Sequence, residues 1–321
     1  MKQKFRAKFK RKVVLWQECD VVVEAKDEET ALMVIRDDKI ENYLDDRATK
    51  HEKRIEVLEN DFTSVEIEKT AFCAMFSGGR DSSAMTDIIC ESGRPLDYII
   101  FADTNAEFSM MYDYVKKFSE YLKDTYGYDV KIIGPRTTFE SWVYGKMTKG
   151  KQKGMTRGLP KMIDPCFWKR ESKVRPFERF MKEKGIIEPI KYIGYTNSEK
   201  ERADVKDPYM RFPLIEERMC EADVDRHLED IGMVNILYEF FSRTGCSFCP
   251  YQSMQAYYTV YQNFKDVWLY MFEVESKLKL IDNVVNDQWS IEMSMADMEI
   301  KFNSGDHNYS DEPAKSCECK I

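Results

Sequence analysis

Histidine is scarce: His51, His227 and His307 are the only three among 321 residues. That leaves little room for a metal centre built on imidazole, so any metal has to lean on thiolates. No uninterrupted apolar run approaches the roughly 20 residues a membrane helix requires. The opening MKQKFRAKFKRKVVLW also lacks the apolar stretch of a secretory signal. The expectation is a soluble, cytoplasmic protein with no membrane partner. Basic excess is absent as well. The net charge of -8 argues against a surface that coats nucleic acid throughout. The phosphate-binding string Gly-x-x-x-x-Gly-Lys-Ser/Thr does not occur either.

What is present is ample core material, with 43% hydrophobic and 13% aromatic residues. This length accommodates one large domain or two modest ones. Residues 1–70 read as a small α+β accessory domain. KFRAKFKRKVVLW alternates basic and apolar residues like a half-exposed strand, DVVVEA is a second β-rich run, and DEETALMVIRDD is a short helix. A charged stretch then leads to a candidate strand, SVEIEK.

From Ala71 the rhythm becomes strand, turn, helix. AFCAMF and DYIIFAD are continuously apolar, as parallel strands buried on both faces are. DSSAMTDIICESG and AEFSMMYDYVKKFSEYLKDTYG are amphipathic helices ending on Gly93 and Gly127, and DVKIIGP is a third strand. KYIGYT and FPLIEE read as shorter strands and EADVDRHLEDIG as a helix. The fold class is therefore α/β, a doubly wound parallel sheet with a small N-terminal α+β appendage. The sheet domain is placed at 71–265, followed by a C-terminal helix and flexible tail at 266–321. The segment from Gln255 to Ile281 reads as helical, and NSGDHNYSDEPAKSCECKI as disordered.

One short stretch concentrates the chemistry. AMFSGGRDSSAM breaks a buried strand with two glycines and restarts as a helix. Glycines there let the backbone approach a ligand and aim several N–H groups at it, while the helix adds its N-terminal partial charge. Ser77, Ser82 and Ser83 supply hydroxyls for phosphate oxygens, and Asp81 a carboxylate for a magnesium ion.

SGGRDS at 77–82 resembles the pyrophosphate loop of the N-type ATP pyrophosphatases. Four more segments, in order, resemble the phosphoadenosine phosphosulfate reductase branch of that superfamily. They are FADTNAEF at 101–108, GYTNSEKER at 194–202, FPLIE at 212–216 and GCSFCP at 245–250. Asn105 stands where that branch has glycine. The resemblance implies that Asp103 and Thr104 hold adenine and ribose, and that residues 77–82, including Gly78 and Gly79, hold phosphates. It implies too that Arg202, with Glu199 in the matching place, is a phosphate clamp. A surface ion pair between Glu199 and Arg202 is the plainer alternative.

Cys246 and Cys249 have the spacing of thiolates that ligate one metal centre. Cys166, ahead of Lys173 and Pro176, resembles the further ligand of related proteins. Three cysteines suit an iron–sulfur cluster with one open iron, [4Fe–4S] for instance. Cys220 as a fourth ligand would shift the balance toward a closed cluster or zinc, and unmetallated thiols are the other reading. Cys19, Cys73 and Cys90 sit in apolar patterns and read as core. Cys317 and Cys319 lack the glycine and histidine of the tail motif of true phosphoadenylylsulfate reductases.

Between Ser141 and Ile163 no acidic residue occurs, while Lys146, Lys149, Lys151, Lys153, Arg157 and Lys161 all do. This glycine-rich stretch reads either as a solvated loop or as one that closes on polyphosphate or a nucleic-acid backbone. Taken together, the reading is ATP-dependent adenylation, with Asp81, Ser82 and Arg202 in catalytic roles. ATP, magnesium and an iron–sulfur cluster are the cofactors, and sulfur transfer, with nucleic-acid thiolation as its natural form, is the outcome. Partners would be the adenine nucleotide and a nucleic acid or sulfur-donor protein. A reductase of adenylylsulfate or phosphoadenylylsulfate is the main alternative, and a nucleotide-binding subunit without turnover the third.

Overall fold

The computed structural model describes the backbone of residues 3–12, 16–25 and 59–69, and side chains across 70–160, 166–203, 207–305, 307–310 and 313–314. Three N-terminal strands, β1 (Gln3–Lys12), β2 (Trp16–Ala25) and β3 (Glu59–Lys69), form an antiparallel sheet in the order β2-β1-β3. The helix expected at 27–38 lies outside the described residues.

Two residues after β3 the main sheet begins with β4 (Phe72–Phe76), followed by α1 (Arg80–Glu91), β5 (Tyr98–Ala102), α2 (Ser109–Tyr126) and β6 (Val130–Ile133). Next come α3 (Phe139–Val143), α4 (Phe167–Lys169), a π-helical turn at Arg170–Val174 and α5 (Arg175–Glu183). Strands β7 (Ile190–Tyr192) and β8 (Met210–Arg211) complete a five-stranded sheet, every pair parallel, in the order β6-β5-β4-β7-β8.

The continuous apolar strands have the cause expected of them, because both faces of the sheet are covered. Ala74, Phe76, Ile99 and Phe101 pack with Met85 and Ile89 of α1 and Val115 and Phe118 of α2. The alternate residues Cys73 and Ile100 face Met181 of α5 and Ile186 instead. The period of two divides the side chains between the two layers. Burial pushes the Cys73 and Cys90 thiols up to about 12, as inert core thiols require. α2 closes on Gly127 in the left-handed conformation, whose N–H reaches the Lys123 carbonyl.

Beyond β8 lie α6 (Pro213–Glu216), α7 (Glu221–Asp230), β9 (Phe241–Arg243), α8 (Met254–Asn263), α9 (Lys265–Lys279), α10 (Met295–Ser304) and β10 (Ala314–Lys315). FPLIEE, expected as a strand, is instead a helical turn. Pro213 at its start has no N–H to offer a ladder, and its fixed φ suits the first turn of a helix. The long helix expected across 255–281 breaks at Phe264, which leaves helical geometry with φ -129° and ψ 66°.

The described residues of the stretch expected to be a loose tail, 303–305, 307–310 and 313–315, are pinned. His307 and Tyr309 stack at 4.9 Å beside Tyr258, and buried Ala314 carries β10 into a parallel pair with β9. Trp268, Met298, Phe302 and Ala314 belong to the same apolar core as Phe76 and Phe118. Cys317 and Cys319 lie outside the described residues. No helix among the described residues is long and apolar enough to cross a membrane.

A candidate nucleotide site and a cysteine cavity

The chain leaves β4 for β5 and β6 on one side, then returns to β7 on the other. The carboxyl ends of β4 and β7 are therefore the switch point at which open α/β sheets bind ligands. The SGGRDS loop begins there, directly after Phe76. Gly78 adopts φ +76°, and a Cβ on it would lie 2.3 Å from the Met111 sulfur of α2. Only glycine satisfies both demands. On the β7 side, a Cβ on Gly194 would meet the Asp81 carbonyl carbon and oxygen at 2.9 Å, so the two loops touch backbone to backbone.

Serine hydroxyls hold the loop's shape. The Ser77 N–H donates to Ser82 Oγ at 3.1 Å, and Ser82 Oγ and Ser83 Oγ each donate to the Gly79 carbonyl at 2.9 Å. Ser77 and Ser82 also share a hydrogen bond of 3.0 Å between their hydroxyls. Ser83 is fully buried, so it braces the loop from beneath and is not placed to donate to phosphate, contrary to the sequence expectation. From outside, Asn235 donates to the Gly78 carbonyl at 2.9 Å, and the Tyr238 hydroxyl accepts the Arg80 N–H at 3.0 Å. No sequence signal marked Asn235, Tyr238 or Met111, because they arrive from distant elements. Gly79, at the start of helix α1, has no side chain to cap it; Tyr238 takes the Arg80 N–H, and the N–H groups of Asp81 and Ser82 remain toward a ligand.

Arg80 turns away from the loop toward Asp225 at 3.3 Å and Glu221 at 3.5 Å on α7. Asp81 is left in an unsettled position. Its Oδ1 is buried with no hydrogen-bond partner, and the Arg80 Nε stands 3.8 Å off. Burial raises its pKa to about 6, against the opposing pull of Arg80; Glu199 and Glu221 raise it further, and Arg243 lowers it. The fold has thus gathered Ser77, Ser82, Asp81, Glu199 and Arg243 at one edge.

Arg202 bonds to Glu199 and lies over the Tyr195 ring at 4.5 Å, and Tyr195 stacks on Phe212. The plainer alternative, an ion pair, is what this structure contains. A groove of about 640 Å³ runs along Asn197, Ser198, Lys200 and Glu201 to Phe212, within the size range of small-ligand sites.

At the end of β5, Asp103 Oδ1 accepts from the Asn105 N–H and the Tyr112 hydroxyl, both at 2.8 Å. Asn105 takes φ 53°, the left-handed conformation asparagine tolerates, so it replaces glycine without disturbing the turn. Thr104 is fully buried and donates to Glu107 at 2.7 Å. Burial raises the Glu107 pKa, while Lys173 and Thr104 hold it down. Neither Asp103 nor Thr104 presents its side chain freely to the switch point.

The same turn is stitched to the cysteine segment. Ser247 donates to the Ala106 carbonyl through both N–H, at 2.6 Å, and Oγ, at 2.9 Å. Cys246 Sγ donates to Thr104 Oγ1 at 3.7 Å, and the Trp168 indole donates to the Thr104 carbonyl. Cys166, Cys246 and Cys249 line one cavity with Trp168, Phe248, Lys169, Lys173 and Arg243, its room for water about 80 Å³. Sequence reasoning grouped these three cysteines, and the tertiary structure brings them to one place. Cys220 lies apart, capping α7. Among the described residues, however, no group of three or more His, Cys, Asp or Glu side chains is arranged to hold a metal ion.

The basic stretch is a hairpin. The Met147 N–H donates to the Met155 carbonyl and the Gly154 N–H to the Met147 carbonyl, Lys146 pairs with Thr156, and Thr156 bridges to Val284. Gly145 through Lys151 does carry four residues between a glycine and Gly-Lys. Gln152 follows, though, and a hairpin cannot supply the strand-loop-helix that pattern needs. Arg157 is spent on the Trp142 carbonyl and ring, whereas Lys149, Lys151 and Lys153 are exposed at the tip. Lys161 lies outside the described residues.

A doubly covered parallel sheet with a glycine loop at its switch point defines an α/β protein. Residues 71–188 match the family described as the phosphoadenosine phosphosulfate reductase domain. The chain is 26% identical over 229 residues to an uncharacterised protein of Methanocaldococcus jannaschii, covering 67% of this chain and 51% of that protein. It thus spans about half the length of that curated relative. The crystal structure of phosphoadenylyl-sulfate reductase from Candida auris, a phosphate complex, is similar at 18% identity and a TM-score of 0.34. That match covers 52% of this chain and 74% of the other.

Proposed function

We propose that residues 77–82 bind the phosphates of an adenine nucleotide and that the chain transfers adenylate from ATP. The observation that carries this is the union of a helix N-terminus at the strand end, a glycine at positive φ and a buried, unbonded carboxylate oxygen on Asp81. An acceptor oxygen attacks the α-phosphorus, pyrophosphate departs into the loop, and a sulfur or nitrogen nucleophile then displaces AMP. The backbone N–H groups of Asp81 and Ser82 and the cation Arg243 meet charge growing on the leaving group. Arg202 joins them only by exchanging Glu199 for phosphate.

The orphaned Asp81 oxygen fits a magnesium ion, which when bound supplies charge neutralisation; Asp81 and Glu199 would hold it. Thiolates suit an iron–sulfur cluster by donor type, but the cysteines as placed form no metal-holding group, so no step here runs through one. The exposed lysine tip of the hairpin supports nucleic acid as acceptor, its phosphates lying against Lys149, Lys151 and Lys153.

A second reading, reduction of a sulfated adenylate, is favoured by one contact. Cys246 reaches Thr104 at the end of β5, bringing thiols beside the nucleotide edge. Purified protein with magnesium and ATP is expected to release pyrophosphate, and Asp81→Ala to abolish it. Sulfite release from phosphoadenylylsulfate, with none of pyrophosphate from ATP, would establish the second reading. Nucleotide binding by calorimetry with neither product would leave a binding subunit.

A further inference from the structure

The cysteine cavity has a feature beyond the contact between Cys246 and Thr104. The Cys249 N–H donates to the Cys246 carbonyl at 3.1 Å, closing a β-turn whose ends are the two cysteines. Such a turn keeps its first and fourth Cα atoms within about 7 Å, and disulfides span Cα separations of about 4.4–6.8 Å. The backbone therefore already holds the pair at bonding range. Their exposures differ: Cys246 is partly exposed and Cys249 is buried. This asymmetry suits one sulfur that meets an incoming reagent and a second that resolves the adduct. Ser247, between them, is anchored twice to Ala106, and Pro250 follows, so the turn is a fixed platform.

The cavity itself selects by charge. Among the described residues, Lys169, Lys173 and Arg243 line it and no carboxylate does; Glu107, bonded to Thr104, feels the charge of Lys173.

We infer that Cys246 and Cys249 form a redox dithiol that exchanges with small disulfides bearing negative charge. The Cys246 sulfur attacks one sulfur of R–S–S–R, giving Cys246–S–S–R. The first R–S⁻ leaves and takes up the proton Cys246 released. Cys249 then attacks the Cys246 sulfur, the second R–SH departs, and the cysteines are joined. The protein loses two electrons and two protons, and the disulfide becomes two thiols.

The test uses the full chain, reduced and then freed of reductant without air, with oxidised glutathione as the anionic probe and cystamine as the cationic one. Two thiols are expected to disappear per chain, with two glutathiones released and a Cys246–Cys249 link found by peptide mass mapping. Cys249→Ser stops with one glutathione bound to Cys246, and Cys246→Ser reacts at neither position. Oxidised glutathione reacts roughly tenfold faster than cystamine at low salt, and the gap narrows as salt is raised. Mapping is read on the wild-type chain, so a variant that misfolds does not rescue the idea. Stoichiometric iron or zinc removed by Cys246→Ser overturns it. So does a link from Cys166 to either partner, persistence of all thiols, or equal rates with the two probes.

Discussion

Replacing Asp81 with asparagine separates a site's function from its stability. In the protein without ligand, the Asp81 carboxyl is raised from 3.8 to about 6, chiefly by burial. Because the folded value lies above the unfolded one, this group favours the folded state fully below about pH 4. That contribution is lost as pH rises through 6. A shift of about two units corresponds to ~3 kcal/mol at most. The side chain is 32% exposed, and solvent screening reduces this to roughly 1–2 kcal/mol. Asparagine keeps the shape without the charge, so Asp81→Asn should be more stable than wild type at pH 8 by that amount. In a chain of this size the gain is about 1.5–3 °C in melting temperature. At pH 4 the two should coincide. Thermal melts in chelator-containing buffer across pH 4–8 read the difference directly, and pyrophosphate release at pH 8 should be lost by 100-fold or more, about 3 kcal/mol. An Asp81→Asn protein no more stable than wild type at pH 8, or one whose stability gain is the same at every pH, refutes the reasoning.

Gly78→Ala should cost about 1–2 kcal/mol for the left-handed backbone alone. The contact with the Met111 sulfur adds to this, and calorimetry should show ATP affinity falling with it. His227 Nε2 donates to buried Asp87 at 2.8 Å, and that hydrogen bond raises its pKa. The stabilisation is therefore full below the unfolded value and fades as pH rises through the folded one. His227→Gln should lose roughly 1–2 kcal/mol at pH 5.5 and less at pH 9, measured by urea melts. Lys149, Lys151 and Lys153 changed together to alanine should weaken binding of a single-stranded RNA. The slope of log affinity against log salt should flatten by about 2, near 0.7 per lost phosphate contact, while the melting temperature holds.

Much of the fold was readable because its signals are local. Continuous apolar runs punctuated by glycine mark parallel strands, and the 3.6-residue rhythm ending on Gly127 marks α2, through interactions within a few residues of each other. The glycine loop was readable for the same reason: backbone freedom is a property of the residue itself. FPLIEE misled because apolar character alone does not distinguish a buried strand from a buried turn of helix, and the proline decided it. The tail misled because polar composition does not reveal a backbone ladder; β10 exists only where β9 is waiting.

The sequence by itself determined the central strands and helices with strong local signals and the glycine loop's freedom, and it grouped the three cysteines that line one cavity. Tertiary structure alone decided that Ser83 is buried, that Arg202 is occupied by Glu199, and that Asn235 and Tyr238 hold the loop from more than 150 positions away. It also decided the ionisation of Asp81, because a pKa depends on which charges and how much protein surround the group. Those neighbours are set by packing that no stretch of sequence contains.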